Sequence, residues 1–172
     1  MSVPGEAREL IRILARVAAA RLRLGPDTHG TTCAVLDDRG RLLLVKTRYH
    51  RGWSPCGGFL DPGEDPVMGM RRELTEEVGL PADAPDPVHC MDVNRPHHQD
   101  HAFALQLDQH QAAALHVASW ELSALGWFTP RDLPRMANIE STVVAERVGL
   151  LRADQGRWVW GARVPSTRAA AD

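Results

Sequence analysis

Apolar positions along the chain alternate between a helical and a strand period. In residues 4–24, Leu10, Ile11, Leu14, Val17, Ala18 and Leu22 line one half of a helical wheel, and Arg8, Arg12, Arg16 and Arg23 line the other. This predicts an N-terminal amphipathic helix, ended by Gly25-Pro26-Asp27. Two short apolar runs, 31–36 and 41–46, are joined by Asp37-Asp38-Arg39-Gly40 and read as a β-hairpin. Residues 49–53 lead to a short strand and the turn Ser54-Pro55-Cys56-Gly57-Gly58. The helical period returns at 65–78, where Val67, Met70, Leu74 and Val78 make an apolar stripe. Asp65 serves as cap, Pro66 fits the first turn and Gly79 marks the stop. After a proline-rich connection, residues 88–94 and 102–107 predict two strands around a polar turn at 95–101. Residues 109–119 predict a loop or short helical turn. A late strand ends near Trp127-Phe128, and residues 138–151 predict a second large helix. Beyond about Gly156 the chain is expected to fray.

The helix at 65–78 carries the chemistry. Glu73, Glu76 and Glu77 project to one side, beside the apolar stripe. Carboxylates crowded in this way repel one another, and a bound divalent cation relieves the repulsion. Oxygen-only ligands with room for water suit Mg²⁺ or Mn²⁺ rather than zinc. Arg72 stands one turn before Glu76, in reach of an i, i+4 ion pair. Gly69, one turn above Glu73, is expected to keep the space over the carboxylates open.

The stretch from Gly58 to Leu80 resembles the Nudix box, G-x5-E-x7-R-E-U-x-E-E-x-G-U with U aliphatic. Gly58, Glu64, Arg72, Glu73, Leu74, Glu76, Glu77, Gly79 and Leu80 fill every defined position. At about 5–7% usage per residue type, a chance match at one site is on the order of one in 10⁸, so the resemblance is specific. It covers roughly residues 30–152. It implies a Nudix-type α/β/α sandwich with a mixed central sheet over 29–155, extended by the helix of 1–28 and followed by a tail at 156–172. It also implies a hydrolase of phosphoanhydrides in nucleoside diphosphate-linked compounds, of the nucleotide-sugar, ADP-ribose or nucleoside triphosphate type. In that reading Glu73, Glu76 and Glu77 hold the metal with the Gly58 carbonyl, Arg72 orients the carboxylates and Glu64 braces the loop. Glu121 resembles a late loop glutamate of the family that faces the metal, so the general base is Glu76, Glu77 or Glu121. Cys56 stands where the family commonly has proline, which leaves the local turn open. Pro96, 16 positions after Leu80, resembles a placement in ADP-ribose-type members.

Substrate contacts are expected from Trp53, just before the box, and from His97, His98 and His101 in the polar turn. Three imidazoles in seven residues offer a transition-metal site or, when protonated, a phosphate contact; lining the substrate mouth is the expected role. Cys56 is expected to be a small buried thiol. Two other classes carry a test each. A sensor that binds without turnover would release no product. A prenyl-diphosphate isomerase would need a catalytic glutamate and a catalytic cysteine, Cys33 or Cys56, and Cys→Ala variants that keep full activity would dispose of it.

Composition narrows the setting. At 172 residues, with 44% apolar content, the chain is expected to form one domain with a substantial core. A net charge of −2 argues against a general nucleic-acid surface. Three cysteines without CxxC spacing fit a reducing cytosol better than a disulfide framework. No apolar run reaches the ~18–20 residues of a membrane span. The N-terminal arginines are spread through the apolar stretch, unlike a signal peptide. The N-terminal helix is expected to pack on the domain, with a contact between two copies or an anionic membrane surface as the alternatives, the latter weakened by Glu6 and Glu9.

Overall fold

A buried carboxylate closes the first hairpin. Strands β1 (Thr28–Leu36) and β2 (Leu42–Thr47) meet antiparallel at Leu36 and Leu42. Between them Asp37 is almost fully buried and accepts hydrogen bonds from the Arg39 and Arg41 backbone N–H groups and from Arg41 Nε. Gly40 completes the turn at φ 71°, where a side chain would be strained. The structure is a computed structural model that describes residues 28–95, 97–129 and 132–137, and the backbone at 152–154 and 157–159.

β1 is the centre of a mixed six-stranded sheet. Strands β4 (Val88–Arg95), β5 (His98–Gln106), β1, β2 and β6 (Leu122–Phe128) follow in that order, and β3 (Cys56–Phe59) pairs with the first half of β1. The β1–β5 pairing is parallel; the others are antiparallel. Period-two alternation divides the core. Cys33, Val35, Leu43, Val45, Phe103 and Leu105 share one cluster with helix α1 (Pro66–Val78). Ala34, Leu36, Leu42, Leu44 and Ala104 form another, with Trp53, Phe128, Leu133 and Met136 against them.

α1 forms as its sequence dictates. The Asp65 carboxylate accepts from the N–H groups of Val67 and Met68, Pro66 occupies the first turn, and Gly79 ends the helix at φ 65°. Met70, Leu74 and Val78 are fully buried, each worth roughly 1.5–3 kcal/mol of apolar burial. A shorter helix, α2 (Gln109–Ala114), starts with a reciprocal bond pair between Asp108 and Gln111.

This is the expected α/β architecture with a mixed sheet. The predicted helices at 4–24 and 138–151 lie outside the described residues, as does Pro96. Two differences concern strands. β5 begins at His98 rather than 102, because polar residues at 98–101 continue the ladder with β1 and β4. Arg152–Asp154 (β7) and Arg157–Val159 (β8) form a separate hairpin that reaches past the expected start of the tail. Strands of three residues are too short to show a period.

Candidate active site

One guanidinium organises the acidic face of α1. Arg72 donates from Nε and Nη2 to both oxygens of Glu64, at 2.8 and 2.9 Å. Its Nη1 donates to Glu73 Oε1 at 2.8 Å and to Glu76 Oε2 at 3.2 Å, and its Nη2 also reaches the Phe59 carbonyl at 3.1 Å. Paired, fork-shaped contacts of this kind are strong and fix orientation. Glu64 accepts in turn from the Asp61 N–H at 2.9 Å, so it ties the glycine-rich loop to the helix. Among the described residues, neither Glu73 Oε2 nor Glu76 Oε1 receives a hydrogen bond.

The glycines make room for this array. A β-carbon on Gly58 would stand 2.5 Å from the Glu73 carboxyl carbon, and one on Gly57 would collide with the Thr31 carbonyl. Gly69 differs from expectation. It is buried, and a β-carbon there would collide with Leu60 and lie 3.0 Å from Glu64 Oε2. Its function is to admit the loop against the helix, not to leave space for a ligand.

Glu77 lies deeper. The Gly57 N–H donates to its Oε2 at 3.2 Å. Burial pushes its carboxyl up to about 8; Glu73 and Glu121 push the same way, while Gly57 and the Cys56 thiol oppose them. Burial also raises the Glu73 carboxyl, with Arg72 opposing. Burial and mutual repulsion raise both carboxyls, and a hard divalent cation seated between them would offset both effects. The observed groups offer oxygen donors only.

Glu121, just before β6, is held by Tyr49, a residue that no sequence motif marks. Tyr49 Oη donates to Glu121 Oε2 at 2.8 Å. Burial raises the tyrosine hydroxyl pKa, and the Glu121 contact and the charges of Glu77 and Glu73 add to it, which places all four groups in one electrostatic neighbourhood. Thr31 was also missed. Its buried Oγ1 has no hydrogen-bond partner among the described residues, and it stands opposite Gly58 across the β1–β3 ladder.

The remaining expected site residues disperse. Trp53 packs edge-on to Phe128, ring centroids 4.9 Å apart, in the cluster on the opposite side of the sheet from α1. The three histidines do not share a turn. His97 alone occupies it, at φ 62°. His98 bonds Thr28 Oγ1 and Asp100 on one face of β5, whereas His101 bonds Asp92 on the other. Alternation along the strand separates residues three apart. Cys33 and Cys56 are fully buried, face each other across β1–β3, and have thiol pKa values raised by burial. Inert buried thiols agree with a packing role and offer no acid–base cysteine.

A mixed sheet of this topology carries a glutamate-bearing helix against the glycines of β3, and proteins of known class share that fold. The NUDIX domain family matches residues 27–147, so the chain belongs to the Nudix family and is a Nudix hydrolase. A Bacillus subtilis (strain 168) protein named "Putative 8-oxo-dGTP diphosphatase" is 33% identical over 109 residues, covering 62% of this chain and 70% of that protein. Phosphatase NudJ of Shigella boydii serotype 4 is 24% identical over 135 residues, 74% of this chain and 85% of NudJ. The crystal structure of MutT NUDIX hydrolase from Burkholderia pseudomallei superposes with a TM-score of 0.58 at 23% identity, covering 69% and 95% of the two chains. No helix among the described residues is long and apolar enough to cross a membrane.

Proposed function

We propose that Glu73, Glu76 and Glu77, with the Gly58 carbonyl, hold a divalent cation, Mg²⁺ or Mn²⁺, and that the enzyme hydrolyses a phosphoanhydride bond in a small nucleoside diphosphate-linked compound. The candidate substrates are nucleotide sugars, ADP-ribose-type compounds and nucleoside triphosphates; the Bacillus subtilis relative's name directs attention to the last. A cation bound there would supply charge neutralisation at phosphate oxygens and a more acidic water. The chain supplies position and proton transfer. Arg72 fixes Glu73 and Glu76, and Glu64 locks the loop to that guanidinium. Glu77 and Glu121, the two carboxylates of the array that Arg72 does not hold, would be the groups placed to accept a proton from the attacking water.

The observation that carries this reading is the single Arg72 guanidinium shared by Glu64, Glu73 and Glu76 beside a glycine whose missing side chain is replaced by the Glu73 carboxyl. The test is a screen of purified protein with Mg²⁺ against nucleoside triphosphates, nucleotide sugars, ADP-ribose and dinucleoside polyphosphates. Metal-dependent release of a nucleoside monophosphate, pyrophosphate or phosphate is expected. Failure to turn over any of these classes would count against the substrate assignment.

A further inference from the structure

We infer that His89, Asp92 and His101 form a binding site for one transition-metal ion of the zinc class, separate from the glutamate array. The site depends on an irregularity in the β4–β5 ladder. His89 stands opposite Phe103 and Met91 opposite Ala102, so Cys90 is an extra residue in β4. In a regular strand residues 89 and 92 would point to opposite faces. The bulge shifts the phase, and Asp92 then stands opposite His101 on the face that also holds Phe103.

The three side chains converge. His89 Nε2 and His101 Nδ1 approach the same oxygen, Asp92 Oδ1, at 2.7 and 2.8 Å. Their ligand atoms all lie within 4.8 Å of one another, which no other trio of His, Cys, Asp or Glu achieves among the described residues. Packing limits the rings' freedom. His29 stacks on His101 at 5.8 Å, and Phe103 meets His89 edge-on at 5.4 Å.

Two imidazole nitrogens and one carboxylate oxygen suit zinc-class ions, unlike the oxygen-only set on α1. Tetrahedral zinc, with ligands at ~2.0–2.1 Å, spaces its ligand atoms roughly 3.3 Å apart. From the observed geometry the nitrogen–oxygen distances need to open by about half an ångström, and the two ligand nitrogens, within 4.8 Å of each other, to settle at the same spacing. His89 and Asp92 are partly exposed and can make that adjustment, leaving a fourth position for water or another oxygen ligand. The site also has a defined place relative to α1. Asp92, His101, Thr31 and Gly58 pair in succession across four strands. Two strand spacings put the His101 backbone roughly 10 Å from that of Gly58. The inference does not rest on the hydrolase reading.

Equilibrium dialysis of the full-length protein against micromolar Zn²⁺, in millimolar Mg²⁺ and followed by metal analysis, tests it. One zinc per chain is expected for the wild type and for Glu77→Gln. Affinity should fall at least tenfold in both His89→Gln and His101→Gln. Zinc should raise the melting temperature of the wild type and not of the two histidine variants, whose own melts report whether they fold. Cobalt in place of zinc should give the strong visible absorption of a four- or five-coordinate site, lost in the same variants. No stoichiometric zinc in the wild type, retention in both histidine variants, or loss in Glu77→Gln would each overturn the assignment.

Discussion

The carboxyl group of Glu73 lies where a β-carbon on Gly58 would stand, 2.5 Å from its carboxyl carbon. Helix α1 and strand β3 therefore meet where a side chain at 58 fits only if Glu73 gives up its position. Gly58→Ala should push the Glu73 side chain aside while leaving the sheet intact, because the displaced group is the end of a flexible chain. Overpacking of this kind costs about 1–3 kcal/mol. The expected result is a kcat lower by roughly a hundredfold, since misplacing a catalytic group by an ångström has that effect, with a cooperative melt retained. Steady-state kinetics with thermal melting checks both parts.

Arg72→Lys should uncouple the loop from the helix. An ammonium cannot span both oxygens of Glu64 while also serving Glu73 and Glu76. A stability loss of about 1–3 kcal/mol is expected, with the larger effect on kcat. Chemical denaturation and kinetics on the same preparation separate the two. A lysine variant with unchanged kcat would remove Arg72 from the orienting role.

Removing metal should make stability depend on pH in a known direction. The Glu77 carboxyl sits at about 8 in the folded chain, against an ordinary value of 4.5. Below 4.5 it is protonated in both folded and unfolded chains. Between 4.5 and 8 only the folded chain keeps the proton, so stability falls as pH rises through that window and levels off above it. Melting temperatures in chelator should therefore decline from pH 5 to 8. Glu77→Gln should flatten the decline, and Mg²⁺ should restore stability most at the alkaline end. Parallel profiles for the two proteins would refute the cause.

Tyr49→Phe should weaken turnover modestly. It removes one neutral donor from Glu121 at the exposed margin of the array. A hydrogen bond worth about 1 kcal/mol corresponds to a kcat reduced by about fivefold. A pH–rate profile that moves with this substitution would tie Glu121 to proton transfer; an unmoved profile would assign that step to Glu77.

What the sequence disclosed and what it withheld follow from range. α1 was legible to its caps because Asp65, Pro66 and Gly79 act within a few residues of one another, and its carboxylate face follows from helical geometry. Gly69 was placed on the right face, but its neighbour proved to be Leu60 from the loop, which no helical wheel contains. Tyr49 and Thr31 reach the array through contacts with Glu121 and Gly58, at separations that local patterns do not encode. The histidines were grouped by nearness in sequence. Strand alternation separates His98 from His101, and the bulge at Cys90 supplies His101 with His89 and Asp92 instead.

The central claim is that the α1 glutamates hold a divalent cation for cleavage of a phosphoanhydride. The most direct measurement is product release as a function of Mg²⁺ concentration, for wild type and Glu77→Gln, with melting curves on both. The account predicts saturable metal dependence in the wild type and a kcat lower by orders of magnitude in a variant that still folds. Near-normal turnover by folded Glu77→Gln, or wild-type turnover unaffected by chelator, would contradict it.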